Sequence, residues 1–150
     1  MRAAAIAGIA LGLMQGLACA QSRGIEYRSV ADTAAILYDA PSTRGRKLFV
    51  APRGMPFEVV VAVDGWIKLR DRGGDMAWIE RRQVSDRRTV VSTGQVALRE
   101  RADEGAAIVL TVAPDVVLEL ADAAPASGWV RVRHRDGASG FVRATQVWGL

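Results

Sequence analysis

One segment of this chain is written twice. Gly65 to Val84 aligns without a gap on Gly128 to Val147, 63 positions further on. Gly65-Trp66-Ile67-Lys68-Leu69-Arg70 falls on Gly128-Trp129-Val130-Arg131-Val132-Arg133, Ala77-Trp78-Ile79 on Gly140-Phe141-Val142, and Gln83-Val84 on Gln146-Val147. Seven of the 20 aligned positions are identical and five more are conservative. A repeat this long is a duplicated folding unit, and it constrains the architecture more than any local propensity does. Units of about 60 residues lie near the lower size limit for a self-sufficient core. The two are therefore expected to pack on each other with little free hinge.

The ends and the charge narrow the setting. Arg2 followed by the apolar, uncharged run Ala3 to Leu17 and by Ala18-Cys19-Ala20 has the pattern of a secretory signal cut after Ala20. That run is shorter than the roughly 20 residues a membrane span needs, and no later run approaches it. A lipidation site at Cys19 would prefer Leu three residues earlier, where this chain has Gly16. Cleavage would remove the only Cys and leave no thiol or disulfide. The net charge of +4 falls to +3 without Arg2, and all but two of the 20 basic residues are Arg. In an exported, periplasmic protein this modest excess reads as a solvated charged surface and argues against nucleic acid as a partner. An anionic wall polymer or an acidic protein surface would suit it as well.

Turn chemistry divides the rest into short strands. Residues 21–33 are polar and aperiodic and read as a leader. Strands are expected at 34–38, stopped by Asp39-Ala40-Pro41-Ser42, at 47–50, and at 55–63, rich in β-branched residues. Asp64-Gly65 is a hairpin dipeptide. Trp66 to Arg70 and Met76 to Ile79 are then the arms of a second hairpin. Alternation puts Ile67 and Leu69 inward with Ala77 and Ile79, and Trp66, Lys68, Arg70 and Trp78 outward. This parity requires a loop of three or five residues, with Gly73 or Gly74 supplying a positive φ. The second copy obeys the same rule, pairing Val130 and Val132 with Gly140 and Val142. Residues 80–84 suit a 3₁₀-like turn. Further strands are expected at 96–99, 108–112 and 116–121. No stretch after the signal has sustained helical spacing, so the fold class is all-β.

Leu37, Pro41-Ser42, Gly65 to Arg70 and Ala77 to Ile79, with Leu98, Gly128 to Arg133 and Gly140 to Val142, resemble the bacterial SH3-like domain family, in its exported two-copy form. The resemblance implies two tandem five-stranded barrels packed together, over 34–84 and 90–150, joined by a linker at 85–89. It implies no reaction. The second unit departs from the pattern, carrying Ala102-Asp103-Glu104-Gly105 where the first has its Pro-Ser turn. Where that loop carries ligand specificity in the family, the resemblance implies that the two units do not bind the same target.

Chemistry-bearing residues are sparse. His134 is the only His, with no Cys beside it in the mature chain, so neither a triad nor a zinc site can be assembled from the expected turns. Asp103-Glu104 and Asp71…Asp75 fall in turns, where solvation accounts for them. No catalytic residue, metal or cofactor is assigned, and the protein is not expected to be an enzyme. The binding candidates are aromatic: Trp66 and Trp78 outward with Lys68 and Arg70 beside them, Tyr38 approaching from the opening strand, and Trp129 and Phe141 repeating the arrangement. Flat rings beside cations suit a cell-wall peptide or glycan, as in peptidoglycan, or an envelope protein. The alternative is a structural accessory subunit of an envelope complex whose aromatic faces are buried. Arg81-Arg82 and Arg87-Arg88 read as solvated.

Overall fold

Period-two burial runs through the repeated hairpins. Ile67, Leu69, Ala77 and Ile79 are buried, and the residues between them are half-exposed or exposed. The computed structural model describes residues 24–31, 33–122 and 125–150. The expected signal peptide, with Cys19, lies outside the described residues. Those residues contain β-strands, two short 3₁₀ turns (Arg81–Gln83 and Ala144–Gln146) and no α-helix.

The first unit is built from β1 (Tyr27–Val30), β2 (Ala35–Tyr38), β3 (Lys47–Ala51), β4 (Pro56–Val63), β5 (Trp66–Arg70), β6 (Met76–Glu80) and β7 (Val84–Ser85). The second repeats them as β8 (Thr89–Ser92), β9 (Val96–Arg99), β10 (Ile108–Val112), β11 (Val117–Leu120), β12 (Trp129–Arg133), β13 (Ser139–Arg143) and β14 (Val147–Trp148). Each set forms one antiparallel sheet, in the orders β3-β2-β6-β5-β4-β1-β7 and β10-β9-β13-β12-β11-β8-β14.

The registers agree with the parity rule. Ile67 pairs with Ile79 and Leu69 with Ala77, while Val130 pairs with Val142 and Val132 with Gly140. Both hairpins close through five residues, since Arg70 pairs with Met76 and Arg133 with Ser139. The left-handed residue in each loop is a glycine, Gly74 at φ 94° and Gly137 at φ 98°.

Two expectations are corrected. Part of the leader, Tyr27–Val30, is a strand, and each sheet has seven strands where five were expected. The extra members are β1 and β7 in the first unit and β8 and β14 in the second. β1 pairs with β4 on one side and β7 on the other, so partners on both flanks satisfy a backbone whose own side chains show no alternation. The linker is correspondingly shorter, because Ser85 and Thr89 already belong to strands.

Two separate cores follow from two separate sheets. Leu37, Phe57, Ile67, Leu69 and Ile79 anchor the first, and Leu98, Leu118, Val130, Val132 and Val142 the second. Equivalent positions exchange volume. Phe57, Ile67, Leu69 and Ile79 give way to the smaller Leu118, Val130, Val132 and Val142, while Ala35 and Ala51 give way to the larger Val96 and Val112. Close packing demands such compensation, because a lost methylene leaves a void its neighbours must fill.

One buried hydroxyl ties the two units together and another ties the first unit to the linker. Thr89 Oγ1 donates to Gly54 O at 2.7 Å and Ser29 Oγ to Arg87 O. Arg88, expected to be solvated, instead donates to Gly149 O at 2.9 Å. Tyr27 meets Trp148 edge-on, with ring centroids 5.2 Å apart. Partial burial, reinforced by Glu58, raises the Tyr27 hydroxyl above its usual pKa.

Candidate functional site

The outward residues of the first unit form a cross-strand grid because antiparallel register aligns like faces. Tyr38, Trp78, Lys68 and Val61 make one row across β2, β6, β5 and β4. Glu80, Trp66 and Val63 make the next, and Met76, Arg70 and Glu58 the third. A bulge between Val59 and Val61 re-aims β4 so that Val61 and Val63 share the outward face. The Tyr38 and Trp66 rings meet edge to face at 5.5 Å and 86°, the geometry the ring quadrupoles favour. Lys68 Nζ lies 5.9 Å from the Trp78 centroid, and Arg70 donates to Glu58 at 3.3 Å.

Trp66 and Trp78 are half-buried, so each keeps a ring face or edge toward solvent. Tyr38 differs from expectation: it is 5% exposed and serves as the floor on which Trp66 rests. Val61, Val63 and Met76, not singled out from the sequence, add exposed apolar rim to the same face. Lys68, Arg70, Trp66 and Trp78 are brought together as anticipated.

The second unit builds the same face with different chemistry. Trp129 stands where Trp66 does, but it is 6% exposed and cannot present a stacking surface. Arg143, in the place of Glu80, lays its guanidinium 4.3 Å from the Trp129 centroid, a contact worth about 0.5–2 kcal/mol. Glu104 holds that guanidinium at 2.7 Å and also faces Arg99 at 3.6 Å. Arg99 occupies the position of Tyr38, donates to Ala106 O, and pairs across strands with Phe141. Phe141 is half-buried among these charges. The exchange of Glu80 for Arg143 is legible in the repeat, whereas the role of Glu104 is not.

The remaining candidates for chemistry are placed as follows. His134 is more enclosed than a surface-loop reading suggests, with its side chain 17% exposed and Nδ1 2.9 Å from Asp136 Oδ1. The backbone N–H of Ala138, followed by His134, holds the Asp136 carboxyl below the usual carboxylate range. Asp71 and Asp103 cap their own turns by accepting from Asp75 N and Gly105 N. Among the described residues, no group of three or more His, Cys, Asp or Glu side chains is placed to hold a metal.

Comparison with known proteins bears on the family. A search of the curated proteins finds no match. Solved structures with a similar arrangement include NlpC2 of Trichomonas vaginalis, at 12% identity and a TM-score of 0.38 over 83% of this chain and 48% of that one. NlpC1 of the same organism aligns at 12% identity and a TM-score of 0.39, over 85% and 47% of the two chains. An NlpC/P60 family protein from Bacillus cereus aligns at 16% identity and a TM-score of 0.39, over 81% and 55%. The chain thus spans about half the length of these proteins, and likeness at this level carries no inference about activity. The family model for the bacterial SH3 domain matches twice, over residues 31–86 and 92–149, which hold every strand of the first sheet but β1 and every strand of the second except most of β8. The chain therefore belongs to the bacterial SH3 domain family, in two tandem copies.

Proposed function

We propose that this is an exported, non-catalytic binding protein whose first unit holds a cell-wall peptide or glycan on its aromatic face. The observation that carries the reading is the open pair Trp66 and Trp78, floored by Tyr38 and flanked by Lys68 and Arg70. Half-buried indoles stack on sugar rings or on the apolar parts of a peptide, and the two cations supply charge-assisted bonds to its carboxylates. Membership of the bacterial SH3 family supports a binding role. The sedimentation assay uses the full chain with purified peptidoglycan stripped of anionic polymers. Co-sedimentation at low salt that is lost in Trp78→Ala supports the reading; a wild-type chain that stays in the supernatant sinks it.

A second reading rests on the exposed apolar rim of Val61, Val63 and Met76. Such a rim around an aromatic centre suits burial against an envelope protein. In that case the chain is a structural accessory subunit with no ligand of its own. A pull-down from envelope extract with wild type and Val61→Lys separates the two: a partner lost with the Lys variant, with no wall binding, favours the subunit.

A further inference from the structure

Lys68, Arg70 and Arg72 of the first unit stand where Arg131, Arg133 and Arg135 stand in the second. The first set is engaged. Lys68 lies over Trp78, Arg70 donates to Glu58, and Arg72 crosses to Asp115 of the other unit. The second set is not: Arg131, Arg133 and Arg135 are all exposed, and among the described residues none has a side-chain hydrogen bond or ion pair. Glu119, the cross-strand neighbour of Arg133 and the counterpart of Glu58, turns instead toward Arg87 at 3.9 Å.

Position turns these cations into a line. Arg131 and Arg133 share the outward face of β12, while Arg133 and Arg135 line an open groove of about 730 Å³ between the units. The groove is walled on the other side by the Pro52–Gly54 turn of the first unit. Its two acids, Asp115 and Glu119, already face Arg72 and Arg87. Alternate residues on a strand lie about 7 Å apart, inside the Debye length of about 8 Å at physiological salt. Arg131 and Arg133 stand at that spacing on β12, and Arg135 follows in the hairpin loop beside the groove. These unneutralised guanidinium groups repel one another, and an anionic chain laid along them relieves the repulsion.

We propose that Arg131, Arg133 and Arg135 form a track for a linear polyanion, a chain bearing phosphate or carboxylate groups, leading from the outer face of the second unit into the groove between units. Guanidinium groups take either anion in a fork-like geometry. This site is separate from the aromatic face of the first unit and stands or falls apart from it.

The test titrates the full chain at low salt with linear inorganic polyphosphate and with polyglutamate of matched length, followed by calorimetry. At least one polymer is expected to bind, and the tighter of the two assigns phosphate or carboxylate. Affinity should fall on the order of tenfold in the Arg131→Gln/Arg133→Gln/Arg135→Gln triple variant. It should hold in the Arg44→Gln/Lys47→Gln/Arg101→Gln triple, which removes the same charge from exposed positions elsewhere, and in Trp78→Ala. No binding of either polymer, or equal weakening in both triples, overturns the proposal.

Discussion

The outward faces of β5–β6 and β12–β13 are one surface built twice, and the two copies spend their side chains in opposite ways. In the first, ring meets ring: Tyr38 supports Trp66, and acids at Glu58 and Glu80 hold the nearby arginines Arg70 and Arg82. In the second, the Tyr38 and Glu80 positions are both arginine, and the acid that holds them, Glu104, comes from a loop. Trp129 is sealed where Trp66 is open, while the basic residues of β12 are left free where those of β5 are tied. Two exchanges in a conserved grid thus move the accessible chemistry from aromatic to cationic. A duplicated fold need not duplicate a site, because the backbone register is shared and the outward side chains are not.

The comparison can be broken most forcefully at the cores. Phe57→Ala should cost about 3–5 kcal/mol and its counterpart Leu118→Ala about 2–5. Because Thr89 bonds Gly54, Arg72 pairs with Asp115 and Tyr27 packs on Trp148 between the units, each variant should shift one common denaturation transition. Two resolved transitions would show that the units melt independently. Next comes Gly140, whose added Cβ would meet Leu98 Cβ and Arg99 O at 2.9 Å. Gly140→Ala should cost about 1–3 kcal/mol by overpacking, although its counterpart Ala77 is accommodated in the first core. A neutral result in urea denaturation would mean that β9 and β13 separate as readily as β2 and β6.

Smaller effects sharpen the contrast between the faces. Trp78→Ala should weaken wall binding about tenfold, or about 1.4 kcal/mol, and Phe141→Ala should leave it unchanged; equal losses would make the faces equivalent. Glu104→Ala frees Arg143, so Trp129 in a single-Trp background should become more quenchable by acrylamide. That pair is partly exposed, and stability should fall by less than about 1 kcal/mol; unaltered quenching would remove Glu104 as the latch. The least effect is electrostatic. The Asp136 carboxyl is held below its usual range in the folded chain, so its contribution is present above the unfolded value and lost as pH falls through the folded one. Asp136→Asn should therefore flatten the acid limb of the stability profile below about pH 4, as read by melting temperature against pH.

Much of the fold was legible because alternation and turn residues are local. The parity of Ile67 and Leu69 against Ala77 and Ile79 was readable in both copies, and it carried the five-residue loops and the outward placement of Trp66, Lys68, Arg70 and Trp78. Strand β1 was not readable. Tyr27-Arg28-Ser29-Val30 has no apolar period of two, and its buried Ser29 is satisfied by the carbonyl of Arg87, 58 residues away. Arg88 reads as solvated from sequence for the same reason, since its acceptor, Gly149 O, is 61 residues away. Trp129 matches Trp66 in sequence, and only the fold lays Arg143, held by Glu104, over its ring.

What the residues determined alone was the duplication, the all-β class and the inward and outward sets, each a matter of spacing along the chain, while the family was carried by the resemblance of their motifs. What only the folded molecule decided was which outward residues stay available. That depends on partners far apart in sequence, such as Glu104 for Arg143, Asp115 for Arg72 and Arg87 for Glu119. Coulombic and stacking contacts act through space at a few ångströms, and chain separation carries no record of them until the strands are in register.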